Sequence, residues 1–430
     1  MSPRRPLPPP ARRLLAGLLA LLAVTARADD ALARLQPALP PAAAVLRSLE
    51  THPAVEAAAY GVIASGAERR RLEAGPHEWT LRVLGQQRRS LPAGGAEQRF
   101  NEWNSALERP WRLPGKAAVD ADLGAVGERA ARAAAGDIRH ETARDLLARW
   151  FDWLRELAAE RQWAEQAATL GRQASVLARR EQLGDAARIE RLQAEAAEAQ
   201  AEAQLAQARQ RRLAAEAGLQ RRHPALPLTP PQALPEPPPL AGNEDDWRHT
   251  LLDHSHELAL ATREAERAAL IAERSRRDRI PDPSIGLQFG RERGGEERLA
   301  AAYVSIPLPG EARRAAADAS QAQAAAAERQ REQVRRRLDA EAASLLQGLR
   351  EAAAHWQASR RAADRQQAAA AMSERAWQLG EGSLGDLLLA RRLANEAALA
   401  ARLAQLGALE RHARLLLDAH RLWPDSPDTP

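Results

Sequence analysis

Pro281-Asp282-Pro283-Ser284-Ile285-Gly286-Leu287-Gln288-Phe289-Gly290 is the stretch that decides how this chain folds. Ile285, Leu287 and Phe289 alternate with Ser284, Gly286, Gln288 and Gly290. That two-residue period belongs to a strand whose two faces meet different surroundings. A polar turn from Arg291 to Arg298 follows, with Gly294-Gly295 at its centre, and a second extended run, Leu299 to Ile306, closes at Pro307 and Pro309. Together they predict a β-hairpin over 283–307. The flanking sequence is rich in Ala, Arg and Glu and reads as long helix. The hairpin therefore has no sheet in its own neighbourhood and needs strands from elsewhere in the chain or from other copies of it.

Downstream, 311–379 reads as one long helix whose seam includes Val334, Leu338, Leu345, Leu349 and Trp356. It breaks at Gly380-Glu381-Gly382, and a last helix, 384–422, begins with Ser383 and Asp386 at capping-box spacing. Upstream, 244–278 is helical, and 223–243, with its eight prolines, is a linker or surface belt.

The first half runs through the same order. A helix over 42–74 stops at Gly75-Pro76. A strand over 78–88 sets Trp79, Leu81 and Val83 against Thr80 and Arg82; a turn, Leu91 to Gly95, leads to a strand over 99–109 with Trp103 and Leu107 opposite Glu102, Asn104 and Glu108. The hairpin is thus 78–109. The next helix, 116–181, would be about 100 Å long. Its Leu146, Trp150, Trp153 and Leu157 form a heptad seam, with Leu147, Phe151 and Leu154 as a second seam beside it. Gly184-Asp185 breaks it, and Asp185 is expected to cap a returning helix that ends near Arg222. The first turn, Gln182 to Asp185, reads as shorter than the second.

The chain is therefore an internal duplication: repeat 29–222, linker 223–243, repeat 244–422 and a tail, 423–430. Landmarks lie about 195–205 residues apart, Gly184 with Gly382 and Leu113-Pro114-Gly115 with Leu308-Pro309-Gly310.

Residues 1–28 read as a cleaved secretory signal: Arg4, Arg5, Arg12 and Arg13, then the apolar run Leu14 to Val24, then Ala26-Arg27-Ala28 before Asp29. That run is too short to span a bilayer, which takes about 20 residues. Without this segment the chain carries 57 basic and 57 acidic residues, so its overall basic character is no argument for nucleic acid. Aromatics make up only 3% of the chain. This favours closely packed Ala-rich helices over a large aromatic core. The absence of cysteine excludes disulfides, thiolate metal sites and a lipid-bearing N-terminal Cys.

In this order the elements resemble the TolC family of outer-membrane efflux channels. Pro281 to Leu287 and Ser305-Ile306-Pro307-Leu308-Pro309 are similar to its cobalt–zinc–cadmium resistance branch, and Leu379-Gly380-Glu381-Gly382-Ser383-Leu384-Gly385-Asp386-Leu387 is similar to the family's turn between its last two long helices. The resemblance implies a mostly α protein with a small β part: a homotrimer in which four strands per chain close a twelve-stranded barrel in the outer membrane, continued by a coiled-coil α-helical barrel across the periplasm. It implies a passive exit duct, with heavy-metal cations as cargo or, alternatively, drugs or other small molecules. The implied partners are a periplasmic adaptor and an inner-membrane pump, meeting the turns at Gly184, Asp185, Gly380, Gly382 and Ser383. Asp185, Glu381 and Asp386 are candidates for an acidic entrance ring, although helix capping accounts for Asp185 and Asp386 as well.

Membrane physics leads to the same place. Strands in lipid must pair every backbone group, so they close into barrels with apolar-out, polar-in alternation. Trp79, Phe100, Trp103, Trp111, Phe289 and Tyr303 fall where interface aromatics belong. A rival reading, a periplasmic coiled-coil adaptor or scaffold, is disfavoured by two helix hairpins and two separate strand pairs. No nucleophile elbow, phosphate loop or HExxH pattern is present, so no enzyme activity and no cofactor are expected. His249, Asp253, His256 and Glu257, with His254 beside them, are the one metal-like group; on a continuous helix the four would share a face. A solvated polar face explains them better.

Overall fold

The computed structural model describes residues 32–424; the stretch 1–28 read above as a secretory signal, and most of the short tail, lie outside them. The chain is mostly helical with one four-stranded sheet. In chain order, α1 (Ala42–Glu50) and α2 (Pro53–Ala74) precede β1 (Thr80–Ser90) and β2 (Gln98–Pro110). Then come α3 (Lys116–Gln182), α4 (Arg188–Arg222), α5 (Glu244–Asp253) and α6 (His256–Arg277). The strands β3 (Ser284–Glu292) and β4 (Glu297–Ser305) lead to α7 (Glu311–Gln378) and α8 (Leu384–Asp418).

The duplication is close. The helices α3 and α7 are 67 and 68 residues long, and α4 and α8 are both 35. The conformational partner of Gly184 is Gly380, rather than the Gly382 expected from the sequence. Both adopt a left-handed φ, +78° and +76°, and both turns carry the same closure: Asp185 N–H donates to Arg180 O at 2.8 Å and Glu381 N–H to Ala376 O at 2.9 Å. A helix stops this way when a residue without Cβ supplies the left-handed step. The two turns are equally long, which also corrects the shorter first turn expected above.

Two expected helices are each broken in two. The helix read over 42–74 is interrupted at Thr51-His52, because Pro53 disfavours helical geometry in the residue before it and itself starts α2 well. The helix read over 244–278 is interrupted at His254-Ser255. There His254 is the C-cap of α5: its backbone N–H makes the last helical bond, to Thr250 O at 3.1 Å, and its ring lies 2.9 Å from the same oxygen.

The described chain divides into two compact units, neither of which follows a repeat boundary. One comprises Ala57–Asp137 and His256–Arg336 and holds the whole sheet. The sheet is antiparallel throughout, in the order β1-β2-β3-β4, so the two hairpins join through β2 and β3. Leu107 lies opposite Leu81 on one side and Leu287 on the other. The other unit holds α1, α4, α5 and α8, the C-terminal parts of α3 and α7, and the Pro-rich segment. Its core is built on the two seams read from the sequence: Leu146, Trp150, Trp153, Leu147, Phe151 and Leu154 are all buried, and Trp150 Nε1 donates to Ala38 O at 2.8 Å. The segment 223–243 packs Leu226, Leu228, Leu234 and Leu240 onto this core, and Gln405 Nε2 donates to Pro235 O at 2.8 Å.

Candidate functional site

Residues paired across a sheet share a face, so the register sorts the strands into two surfaces. The first carries Leu81 and Val83 of β1, Trp103, Ser105 and Leu107 of β2, Ile285, Leu287 and Phe289 of β3, and Ala300, Ala302 and Val304 of β4. Its large apolar side chains are open: Leu81 is 67% exposed, Leu287 50% and Phe289 52%. In a small soluble sheet such residues would be covered. From Trp79, just before β1, to Gly85 in the Trp103 row, this apolar band is about 20 Å tall at strand rise. Its charged residues are all arginines, at its two ends: Arg109 at one, Arg89, Arg99, Arg291 and Arg298 at the other.

The second surface is mostly polar, with Leu84 and Leu299 as exposed apolar side chains in one row of it. Tyr303 lies over Gly286, where a Cβ would meet the ring at 2.4 Å, and its hydroxyl donates to Glu108 at 2.9 Å. Gln86 Nε2 donates to Glu102 at 2.7 Å, Arg88 pairs with the same carboxylate at 3.2 Å, and Arg293 N–H donates to it at 3.1 Å. Glu102 is 4% exposed and fully bonded. Four acids, Glu102, Glu108, Glu292 and Glu297, face this side against Arg82 and Arg88.

The six aromatics expected at membrane interfaces do not all fall on one face. Trp103 and Phe289 lie on the apolar face, and Trp79 and Trp111, both 61% exposed, flank the strands. Phe100 shares the parity of Glu102, and Tyr303 is opposite Gly286, so both lie on the polar face. For these two the expected placement is corrected.

Where the strands meet the helices, the chain crosses twice, and a charge cluster joins the two crossings. Lys116, 2% exposed, donates to Asp278 and Asp282 at 2.9 Å each and to Ile280 O at 2.8 Å, which satisfies all three ammonium hydrogens. Asp282 also accepts Leu113 N–H at 3.0 Å. Arg274 pairs with Asp278 and, at 2.6 Å, with Asp120, which receives Arg112 at 3.1 Å. Burial pushes the Asp278 and Asp282 carboxyls up, but the hydrogen bonds from Arg274 and Lys116 to Asp278, and from Lys116 and Leu113 N–H to Asp282, outweigh it and hold both below the usual carboxylate range. Gly115, at φ +85°, leaves room for the Arg277 guanidinium. The sequence reading missed this cluster, yet it held a signal: Lys116 is the sole lysine in a chain with 62 basic residues.

At one end of the helical unit the two turns come together. Leu177, Leu384 and Leu387 are buried side by side with Trp377 against them, and the Arg180 guanidinium lies over the Trp377 ring at 5.9 Å. Arg391 joins Gln173 and Glu374. Ser383 caps α8, accepting Asp386 N–H at 3.1 Å. Asp185 does not cap α4 as expected. Its carboxylate is taken by Arg180 at 2.8 Å, the N-cap is Ala187, and Glu190 receives the Ala187 N–H at 3.2 Å. Gly184, Asp185, Gly380, Glu381, Ser383 and Asp386 are exposed and Gly382 half-buried.

The metal-like group is taken apart by the break between α5 and α6. His249 and Asp253 sit on α5 and are exposed, whereas His256 and Glu257 open α6 and are half-buried. Gly136 lets the His256 ring approach α3, where a Cβ would be 2.6 Å away.

No known family's sequence profile matches the chain, and no curated protein matches its sequence. Solved structures do. The outer-membrane channel OprN superimposes with a TM-score of 0.77 at 18% identity, covering 88% of this chain and 89% of its own. CusC, described as changing conformation on folding and transmembrane channel formation, gives 0.73 at 13%, covering 89% and 92%. The outer membrane protein VceC of Vibrio cholerae gives 0.72 at 15%, covering 89% and 99%. The chain thus has the fold of outer-membrane channels over nearly its whole described length.

Proposed function

We propose that this protein is the outer-membrane duct of a tripartite efflux system and performs no catalysis. The observation that carries the proposal is the sheet. Its apolar face is open, its opposite face is mostly polar with its carboxylates bonded, and among the described residues its edge strands β1 and β4 have no neighbour. In lipid an unpaired edge costs several kcal/mol per backbone group, so the sheet must close. Three copies joined β4 to β1 give twelve strands, with the apolar face toward lipid and the polar face lining a lumen. No described helix is long and apolar enough to cross a membrane, which leaves the strands as the spanning element. The fold shared with OprN, CusC and VceC supports this reading.

Heavy-metal cations are the proposed cargo. The polar face carries an excess of carboxylates, and rings of acids favour cations in pores. Gly184, Asp185, Gly380, Gly382 and Ser383 form the proposed docking tip for a periplasmic adaptor, with Asp185, Glu381 and Asp386 as the acidic groups at the entrance. The first test is fractionation: the native protein is expected in the outer-membrane fraction, with a detergent-solubilised mass of three chains and a gel mobility that changes on heating. A monomer soluble in plain buffer would overturn the duct. Deletion in cells challenged with zinc, cobalt, cadmium and copper tests the cargo, and unchanged tolerance removes the metal assignment.

A further inference from the structure

We propose that Arg291 and Arg298, with Trp103 beside them, form a binding site for the phosphate of an anionic lipid on the membrane-facing side of the sheet. The inference rests on the duct reading, which puts this face in lipid. Arg291 and Arg298 are direct cross-strand partners on β3 and β4, and Trp103 is opposite Arg291 on β2, so the three form one row. Like charges placed directly opposite each other in a sheet repel. Nothing among the described residues relieves the repulsion: neither guanidinium has an ion-pair or hydrogen-bond partner, and both are exposed. No strand acid lies on this face; Glu102, Glu108, Glu292 and Glu297 are all on the other, and the turn residue Glu97 is engaged elsewhere.

The other arginines on the same face are provided for. Arg109 at the helix end lies 5.5 Å from the Trp79 ring and donates to His77 O at 2.9 Å. Arg89 and Arg99 share the turn carboxylate of Glu97 at 3.9 and 3.2 Å. Only the Arg291–Arg298 pair is left for an external anion.

Its position selects the anion. The pair tops the apolar band: Phe289 and Ala300 form the next row down, and the hairpin turn follows within two residues above. Acyl chains fit the rows below, a headgroup phosphate fits between two guanidinium forks, and an interfacial Trp completes the row. A free inorganic anion would gain nothing from the rows below. A zwitterionic headgroup would bring its own cation to a site that already has two.

The test uses the full chain, solubilised in detergent and checked for heat-modifiable mobility. Phosphatidic acid, phosphatidylcholine and inorganic phosphate are the probes, read by native mass spectrometry and thermal melting. Wild type is expected to retain phosphatidic acid about tenfold over phosphatidylcholine, the size of a charge-assisted contact, and R291Q/R298Q to lose that preference while R109Q keeps it. Without lipid, R298Q is expected to melt no lower than wild type, since it removes repulsion; with phosphatidic acid, wild type and R109Q should gain and R298Q should not. Equal retention of the two lipids by wild type, undiminished preference in R291Q/R298Q, or displacement of the lipid by equimolar inorganic phosphate overturns the site. If the double variant does not fold, R298Q alone decides in the same assay. Wild type absent from the membrane fraction would instead overturn the duct itself.

Discussion

The junction beneath the sheet and the tip of the helical hairpins are both places where the chain reverses or changes element, and they are held in opposite ways. At the junction Lys116 is closed off from water and gives all three of its hydrogens to fixed acceptors, two of them carboxylates. At the tip the Arg180–Asp185 pair has side chains 42% and 69% exposed, and the other contact of Arg180 is with the Trp377 ring. Buried pairs are costly to break, whereas exposed ones contribute about 0–1 kcal/mol. On the proposed duct reading, the membrane-side junction is locked by buried charge, whereas the charged pair at the tip is one that solvent can replace.

Lys116→Met gives the sharpest contrast. It removes the buried cation that Asp278 and Asp282 share, leaving Asp278 with Arg274 alone, and is expected to cost roughly 3 kcal/mol, as breaking a buried pair does. Thermal melting in detergent measures it. A loss below about 1 kcal/mol would put the junction in the same class as the tip. Lys116→Arg is expected to fall between, because a planar fork cannot reproduce three convergent ammonium bonds.

Acid should separate the two units. His223 and His412 in the helical unit are both held at about 4, each chiefly by burial, with the neighbouring His52 adding to the effect on His223. Their folded values lie below the unfolded one. The stability they contribute is therefore complete above about pH 6.5 and falls away as the pH drops toward 4, by up to about 2–3 kcal/mol for each. The junction aspartates are also depressed, but from a carboxylate value, so their contribution persists until the pH falls below about 4. Hydrogen exchange at pH 5 is expected to quicken around His223 and His412 while the β2–β3 amides stay protected. Simultaneous loosening would contradict the comparison.

Gly184→Ala and Gly380→Ala come next, each costing about 1 kcal/mol for a left-handed φ, read as faster exchange confined to the tip. The smallest effect is expected from Arg180→Ala. Its change in melting temperature should fall within the scatter of surface substitutions, while single-channel conductance in a planar bilayer should change. A large stability loss with unchanged conductance would reverse the roles assigned to the two ends.

What was legible in the sequence follows from this physics. The strand at 284–290 could be read because its faces meet different surroundings, which writes a period of two into the residues. The seam from Leu146 to Leu157 could be read because packing against neighbours enforces a heptad. The parity of Phe100 with Glu102 was visible too, and it outranks the habit of placing aromatics at interfaces. The break at His254 was not legible, since neither Gly nor Pro marks it. Nor was the fate of Asp185, where Arg180 competes with the helix end for the same carboxylate. The junction cluster joins residues about 165 positions apart, beyond the reach of any local pattern, and only the solitary lysine hinted at it.

That solitary lysine has a practical corollary. Amine-reactive reagents and lysine-specific proteases find one side-chain target in this polypeptide, and in the native fold they cannot reach it. Labelling or cleavage at position 116 therefore times the opening of the strand–helix seam directly, without any engineered probe.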